Sequence, residues 1–148
     1  MKVSRGACAL ALAAALLAAG CGSGKKKPAA PKTKAQYAAL VVPICQDLHV
    51  KLETLSVHLT DLETAIREAV HLAEATNAKL RTIPAPPGDP VPGEWLHWRE
   101  LMTSYVKQEV EAAPYSKTRK AASAAENNAK NKARSIARNY GLGVCAQL

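Results

Sequence analysis

Apolar residues recur every three or four positions through much of residues 37–83, which is the spacing of one buried helix face. This unbroken series favours a single long helix. The capping-box pattern Thr60-Asp61-Leu62-Glu63 instead favours a second helix that begins inside the stretch. The sequence leaves both interpretations open, and a break near residues 57–59 gives four helices of similar length for the whole chain. The seam consists of Val41, Cys45, Leu48, Leu52, Leu55, Leu59, Leu62, Ile66, Ala69, Ala73 and Leu80.

A proline-rich stretch, Pro84–Gly93, then interrupts the helical pattern, because five prolines in nine residues fit neither a helix nor a central strand. A second helix is predicted over Glu94–Ala113. Trp95 and Trp98 lie three residues apart on its apolar side, which indicates core packing rather than an exposed anchor. The other apolar positions on that side are Leu101, Met102, Tyr105 and Val106.

The last predicted helix covers about Ser116–Tyr140 and ends at Gly141 and Gly143. Alanine dominates its buried side, so this helix can approach its neighbours closely. The three patterns together predict an all-α fold. We expect an antiparallel bundle in which four helices are favoured, with a kinked helical hairpin as the alternative. The seam of the last helix consists of Ala122, Ala125, Ala129, Ala133, Ile136 and Tyr140.

The first 21 residues follow a different pattern. Lys2 and Arg5 precede an uncharged apolar run from Ala7 to Ala19, which is too short to span a bilayer and has the length of a signal-peptide core. The run closes with Leu17-Ala18-Ala19-Gly20-Cys21, which resembles the lipobox of bacterial lipoproteins. The resemblance implies that residues 1–20 are a cleaved signal peptide and that the Cys21 thiol carries a diacylglyceryl group, which would anchor the protein at the membrane.

Residues 21–36 are rich in Lys, Pro and Gly and show no hydrophobic periodicity, which is typical of an extended, solvated tether. In polyproline conformation, such a segment reaches roughly 45 Å. Its five lysines can also approach anionic lipid headgroups. We interpret the segment as a spacer with incidental lipid contact, and we expect residues 37–148 to form the bundle domain.

The net charge of +8 belongs mostly to the leader and the tether. Residues 37–148 carry only +1, although residues 113–148 alone carry +6. We expect this basic last segment to neutralise acidic neighbours within the bundle. Nucleic-acid binding would need a basic face with interleaved aromatic residues, so no nucleic-acid partner is predicted.

Of the four cysteines, Cys8 would leave with the signal peptide and Cys21 would carry the lipid. Cys45 and Cys145 then remain in an oxidising compartment, where we expect them to form one disulfide. This pairing brings the start of the first helix to the end of the chain, as four alternating helices would. Two free buried thiols are the alternative.

Short motifs in the body are similar to those of small helical lipoproteins and secreted proteins of actinobacteria. They are Tyr37 with Ile44-Cys45 and Leu48, then Ala85-Pro86 with Trp95, and finally Tyr140-Gly141-Leu142-Gly143-Val144-Cys145. The resemblance covers most of residues 37–148. It implies a helical bundle tied by a Cys45–Cys145 bridge, and it brings no activity or substrate.

Four histidines raise the question of a metal site. Glu68 with His71 and Glu94 with His97 have the Glu-x-x-His spacing of di-iron bundles. Relative to the seam, however, Glu68 and His71 fall on the outward face, so we expect solvated side chains, with a looser surface zinc or copper site as the alternative. The remaining histidines are His49 and His58.

No nucleophile motif of the Gly-x-Ser-x-Gly type occurs, and we predict neither catalysis nor a cofactor. The sequence therefore predicts a lipid-anchored protein on the extracytoplasmic side of the cell membrane. Its bundle would be a non-enzymatic binding or structural module that contacts an envelope protein through the Pro84–Gly93 loop or the basic last helix. The alternative is an envelope lipoprotein that binds a small ligand or a metal through its His/Glu pairs.

Overall fold

The computed structural model describes residues 30–58 and 61–148, which form four α-helices and one short 3-10 helix. The helices are α1 (Lys34–His58), α2 (Leu62–Arg81), α3 (Val91–Glu111), α4 (Lys117–Tyr140) and the 3-10 helix η1 (Gly143–Ala146). The described residues contain no strand. The prediction of an all-α fold with four helices is confirmed. The predicted signal peptide, residues 1–20, and the predicted lipid anchor Cys21 lie outside the described residues.

Helices α2 and α3 run antiparallel, as the pairing of their side chains shows. From one end of the α2–α3 pair towards the other, Arg81 pairs with Glu100, Asn77 with Thr103, and Glu74 with Lys107. We call the end where α1 begins and α4 ends the entry end, because the chain enters the bundle there. The opposite end, which holds the α1–α2 and α3–α4 connections, is the turn end.

The stretch 37–83 forms two helices, and the residue that begins the second is Asp61. Its side chain accepts a hydrogen bond from the Thr64 amide at 2.9 Å and another from the Thr64 hydroxyl. A carboxylate at this position satisfies an amide that has no partner within the helix. A second helix thus begins in the predicted region, but its cap is Asp61 with Thr64, one residue later than the predicted capping box of Thr60 with Glu63. Thr60 itself lies outside the described residues.

The core of the bundle is concentrated at the entry end. There α4 contributes only small residues along its buried side until Tyr140, which lets α3 pack closely along it. Trp95 of α3 is the largest fully buried side chain and fills the space that these alanines leave. The buried cluster consists of Tyr37, Val41, Cys45, Leu80, Trp95, Ala133, Ala137, Tyr140, Leu142 and Cys145.

The predicted α1–α2 seam is buried near the entry end and partly exposed near the turn end. Val41, Cys45, Leu48 and Leu80 are buried, whereas Leu52, Leu55, Ile66, Ala69 and Ala73 are half-buried. The placement of Leu62 in the seam is wrong, because its side chain is 74% exposed. The chain turns between α1 and α2, so the three–four spacing does not continue across the break. Leu59 lies outside the described residues.

Two further boundaries differ from the prediction. Helix α3 begins at Val91, before the predicted Glu94 and inside the predicted Pro84–Gly93 loop. The early start is possible because Pro92 falls in the first turn, where its missing amide costs no helical hydrogen bond.

Helix α1 begins at Lys34, inside the segment predicted as tether, and Pro43 therefore lies in the helix interior. A proline there removes the amide that would bond the carbonyl of Ala39. Pro31, also in the predicted tether, is buried, so the chain packs against the bundle before α1 begins.

The chain closes on itself at Cys145. Helix α4 ends at Gly141, whose left-handed φ of 83° suits a residue without a side chain, and the Leu142 amide turns back to donate to the carbonyl of Ala137 at 2.8 Å. This turn places η1 against both α1 and α4. The sulfurs of Cys45 and Cys145 lie at disulfide-bonding distance, 2.16 Å apart, and both residues are buried. The predicted pairing is confirmed.

Within the part of the chain that the structure describes, no helix combines the length and the apolar character needed to cross a membrane.

Candidate functional site

The entry end gathers a set of polar side chains around Asp89, in the loop between α2 and α3. Gly88 adopts a φ of 74°, which allows the chain to turn sharply before Asp89. One Asp89 carboxylate oxygen, Oδ1, accepts a hydrogen bond from the Val91 amide at 3.0 Å, which satisfies the first turn of α3. The other oxygen, Oδ2, accepts the hydroxyl hydrogen of Tyr140 at 2.5 Å. Asp89 therefore fixes the Pro-rich loop to the end of α4.

The two tyrosines at this end are held in their neutral form. Burial raises the pKa of Tyr37 to about 12, and the nearby negative charge of Asp89 adds to the effect. Burial also raises the pKa of Tyr140, helped by its hydrogen bond to Asp89 and by the charge of that carboxylate. The rings meet edge to face with centroids 5.9 Å apart. At neutral pH both phenols stay protonated, so Tyr140 acts as a hydrogen-bond donor.

Lys34 covers this group from the first turn of α1. Its Nζ lies 4.7 Å from the centre of the Tyr140 ring and donates a hydrogen bond of 3.0 Å to the carbonyl oxygen of Asn139. A cation at this position complements the negative end of helix α4. Beside it lies an open cleft of about 410 Å³. The cleft is lined by Lys34, Asp89, Val91, Glu94, Ile136, Asn139 and Tyr140.

A second polar group lies inside the bundle between α2 and α3. Arg99 is only 2% exposed, and its Nε donates to the Asn77 side-chain oxygen at 3.1 Å. The Asn77 amide nitrogen donates in turn to the Thr103 hydroxyl at 3.2 Å. The guanidinium carbon lies 5.4 Å from the centre of the Trp95 ring. Burial lowers the pKa of Arg99 to about 10, so the side chain still carries its charge at neutral pH.

Sequence reasoning missed this group because it assigned the buried side of α3 by hydrophobicity alone. Trp95, Arg99 and Thr103 follow one another at intervals of four residues, which places them on one helix face. That spacing was the available signal. Among the described residues no carboxylate lies within 4 Å of the Arg99 guanidinium, and Trp95 Nε1 is buried without a hydrogen-bond partner. The hydrogen bond from Arg99 to Asn77 therefore links α3 to α2, while the positive charge of Arg99 has no carboxylate partner among the described residues.

The turn end carries a larger, open cleft of about 670 Å³ between α3 and α4. Tyr115 stands at its edge, fully exposed and with a φ of 60°, which is unusual for a residue other than glycine. Ser116 then caps α4, accepting a hydrogen bond from the Arg119 amide at 3.1 Å. The cleft is lined by Glu109, Pro114, Tyr115, Ser116, Arg119, Lys120, Ser123, Ala124 and Asn127.

The structure does not bring the two Glu-x-x-His motifs together. Glu68 and His71 are exposed in the half of α2 nearer the turn end, whereas Glu94 and His97 are exposed near the start of α3 at the entry end. The His97 ring packs against Trp98, with centroids 5.7 Å apart.

The remaining histidines also lie apart. His49 Nε2 is 3.2 Å from Glu53 within α1, and the side chain of His58 lies outside the described part of the chain. His71 Nδ1 is 3.8 Å from Glu74. Over residues 30–58 and 61–148, no group of three or more His, Cys, Asp or Glu side chains is arranged to hold a metal ion.

Both tryptophans are placed as predicted, on the inner side of α3. Trp95 is fully buried, and Trp98 is half-buried against the core. The Pro84–Gly93 loop, predicted as a partner contact, is fastened to the bundle through Pro86, which is buried, and through Asp89.

Comparison with protein-family models, with curated proteins and with solved structures finds no match to this chain.

Proposed function

We propose that this protein is an extracytoplasmic lipoprotein, held at the cell membrane by a diacylglyceryl group on Cys21 after removal of residues 1–20. The observation that carries the proposal is the buried Cys45–Cys145 pair at bonding distance. Disulfides persist in oxidising compartments and are rare in the cytosol, so the pair supports a location outside the cytoplasm. The lipobox-like sequence before Cys21 supports the lipid anchor.

The bundle in this proposal is a non-enzymatic binding or structural module. The titratable groups whose pKa values shift most among the described residues, Tyr37, Tyr140 and Arg99, all contact neighbouring helices or loops. These contacts fasten the Pro-rich loop to α4 and fasten α3 to α2. Because these polar groups hold the helices together, they favour a rigid bundle whose outer surface contacts a partner. The partner we propose is an envelope protein.

The test is the intact mass of the protein isolated from its native membrane, measured with and without reduction. We expect a chain that begins at Cys21, carries a diacylglyceryl group and gains two hydrogen atoms on reduction. The control is Cys21→Ala, which should lack the lipid increment and still gain the two hydrogens. An unlipidated wild-type chain would overturn the anchor, and free thiols at Cys45 and Cys145 would overturn the argument for the compartment.

The proposed envelope partner is tested separately by crosslinking on intact cells. Lysine-reactive crosslinking of the wild-type protein should give one discrete adduct with another envelope protein. The Cys21→Ala variant should lose this adduct if the anchor brings the two together. Only monomer and non-specific smears in the wild type would contradict a binding role.

A further inference from the structure

The two halves of the bundle differ in charge. The side-chain pairs place Arg81 beside Glu100 and Arg119 beside Glu109, so a plane across the middle of α3 leaves residues 30–46, 80–101 and 129–148 in the entry half, and residues 47–58, 61–79 and 102–128 in the turn half. The entry half contains eight Lys and Arg against three Asp and Glu. The turn half contains seven Lys and Arg against nine Asp and Glu. The bundle is therefore positive at the end where the chain enters and slightly negative at the opposite end.

Helix dipoles do not cause this difference. Each end of the antiparallel bundle holds two helix N-termini and two helix C-termini, so their partial charges largely cancel. The charge difference consequently comes from side chains, and it is screened by salt only where those side chains are exposed.

The positive charge of the entry end is also poorly neutralised within the bundle. The acidic neighbours predicted for the basic last helix prove few. In the described part of the chain, α4 forms one ion pair with another helix, Arg119–Glu109 at 3.9 Å, and it lies at the turn end. Lys32, Lys34 and Arg138 are exposed, and no described carboxylate lies within 4 Å of them.

These side chains come from both ends of the chain and lie at the same end of the bundle. The hydrogen bond from Lys34 to the carbonyl of Asn139 brings the start of α1 to the residue next to Arg138. Arg134 lies one turn earlier in α4, where it donates to the main-chain oxygens of Gln147 and Leu148. We call these four basic residues of the entry end, Lys32, Lys34, Arg134 and Arg138, the entry patch.

We propose that the entry patch docks on the anionic phospholipid headgroups of the membrane that holds the anchor. The inference rests on the proposed function, because the predicted tether leads from Cys21 directly into α1 beside this patch. Each Lys or Arg close to an anionic surface strengthens attachment about fivefold. Docking by this end orients the bundle, so that the turn end, with its exposed Tyr115 and open cleft, faces away from the lipid.

The experiment measures the distance of each end from the membrane in the full anchored protein. A fluorescent donor is attached at Ser135→Cys near the entry end, or at Thr118→Cys at the turn end, after the disulfide has formed. Both positions are exposed. The protein is reconstituted into vesicles that contain headgroup-labelled acceptor lipid, either in pure phosphatidylcholine or with about one third phosphatidylglycerol.

Energy transfer from the Ser135→Cys donor should rise when phosphatidylglycerol is present and fall again at about 0.5 M salt, where the screening length is only a few ångströms. Transfer from Thr118→Cys should change little. Equal transfer in the two vesicle types would overturn the proposal and leave a protein-borne or polymeric anion as the partner of the patch. An equal rise at both positions would overturn docking by the entry end.

Charge variants supply the matched control. Lys32→Gln with Arg138→Gln should weaken the phosphatidylglycerol-dependent docking equilibrium about 25-fold. Lys117→Gln with Lys120→Gln removes the same net charge from exposed positions at the turn end and should leave docking unchanged. An equal loss in both double variants would show a general charge effect and would overturn the patch.

Failure of the anchor is distinguishable from failure of docking. An anchored protein stays with pure phosphatidylcholine vesicles at about 0.5 M salt, where headgroup attraction is screened. A protein that leaves these vesicles at that salt concentration contradicts the lipid anchor only. The docking proposal is judged separately, by whether energy transfer depends on the lipid composition.

Discussion

The entry end and the turn end are built from the same four helices, yet they bury their side chains to different depths. Val41 and Cys45 of α1 have no exposed surface at the entry end. Two to four turns further along, Leu52 and Leu55 continue the same seam and are only half-buried. The difference arises because η1 returns to cover α1 at the entry end. The comparison indicates that stability is concentrated where the chain closes on itself.

Removal of the disulfide should have the largest effect on this comparison. The bridge closes a loop with a sequence separation of 100, and its loss should lower the free energy of unfolding by about 4.7 kcal/mol through the entropy of the unfolded chain. The measurement is urea unfolding of Cys45→Ala with Cys145→Ala, followed by the fluorescence of the two tryptophans. A variant as stable as the wild type would show that packing alone holds η1 in place.

A pair of leucine truncations sharpens the comparison with matched chemistry. Leu80→Ala removes a fully buried side chain at the entry end and should cost about 3 kcal/mol. Leu55→Ala removes a half-buried side chain nearer the turn end and should cost about 1 kcal/mol, because less apolar surface returns to water. Urea unfolding of the two variants side by side measures the difference. Equal losses would mean that the two ends share the core evenly.

Alkaline titration tests the entry end through Tyr37. Its pKa is 10 in the unfolded chain and about 12 in the folded protein, so the folded state holds the proton more tightly between these values. Its contribution to stability is complete below pH 10 and is lost as the pH rises through 12, by about 2 kcal/mol.

The effect of Tyr37 is measured as the difference in stability between a Tyr37 variant and the wild type, because Arg99 acts in the opposite direction between pH 10 and 12. Its lowered pKa means that the unfolded chain binds the extra proton there, so stability rises with pH. Tyr37→Phe should therefore make the stability curve between pH 10 and 12 less negative in slope than that of the wild type. Identical slopes would show that the Tyr37 hydroxyl is solvated when folded.

Removal of a helix cap at the turn end should have the smallest effect. Ser116→Ala deletes the oxygen that accepts from the Arg119 amide and should cost about 1 kcal/mol. Amide hydrogen exchange should quicken in the first turn of α4 and stay unchanged near Tyr140. Ser116→Asp should restore the cap, and Ser135→Ala serves as an exposed control. Faster exchange along the whole of α4 would show that the two ends open together.

The sequence was sufficient to predict the helices and the pairing of Cys45 with Cys145, because periodicity and cysteine count are local or compositional signals. It could not settle whether residues 37–83 form one helix or two. The seam of leucines and the capping pattern opposed each other, and neither local signal outweighs the other, whereas the structure begins a new helix after the Asp61 cap. The exposure of Leu62 follows from that break.

The polar groups that hold the bundle together were beyond the reach of hydrophobic patterning. Asp89 and Tyr140 lie 51 residues apart, and their hydrogen bond depends on the path of a proline-rich loop. Buried Arg99 donates its hydrogen bond to Asn77 of α2, so the sequence of α3 alone does not indicate its partner. Contacts of this kind join distant segments, so they become visible only when the helices are placed.

The closure of the chain between Cys45 and Cys145 also bears on how the molecule withstands proteases. All of α2, α3 and α4 lie inside a covalent ring that is completed by the two sulfurs. A protease that cuts one exposed bond in the α3–α4 connection opens this ring without releasing a fragment. A nicked molecule therefore keeps both pieces on the same tether and separates into two only under reducing conditions.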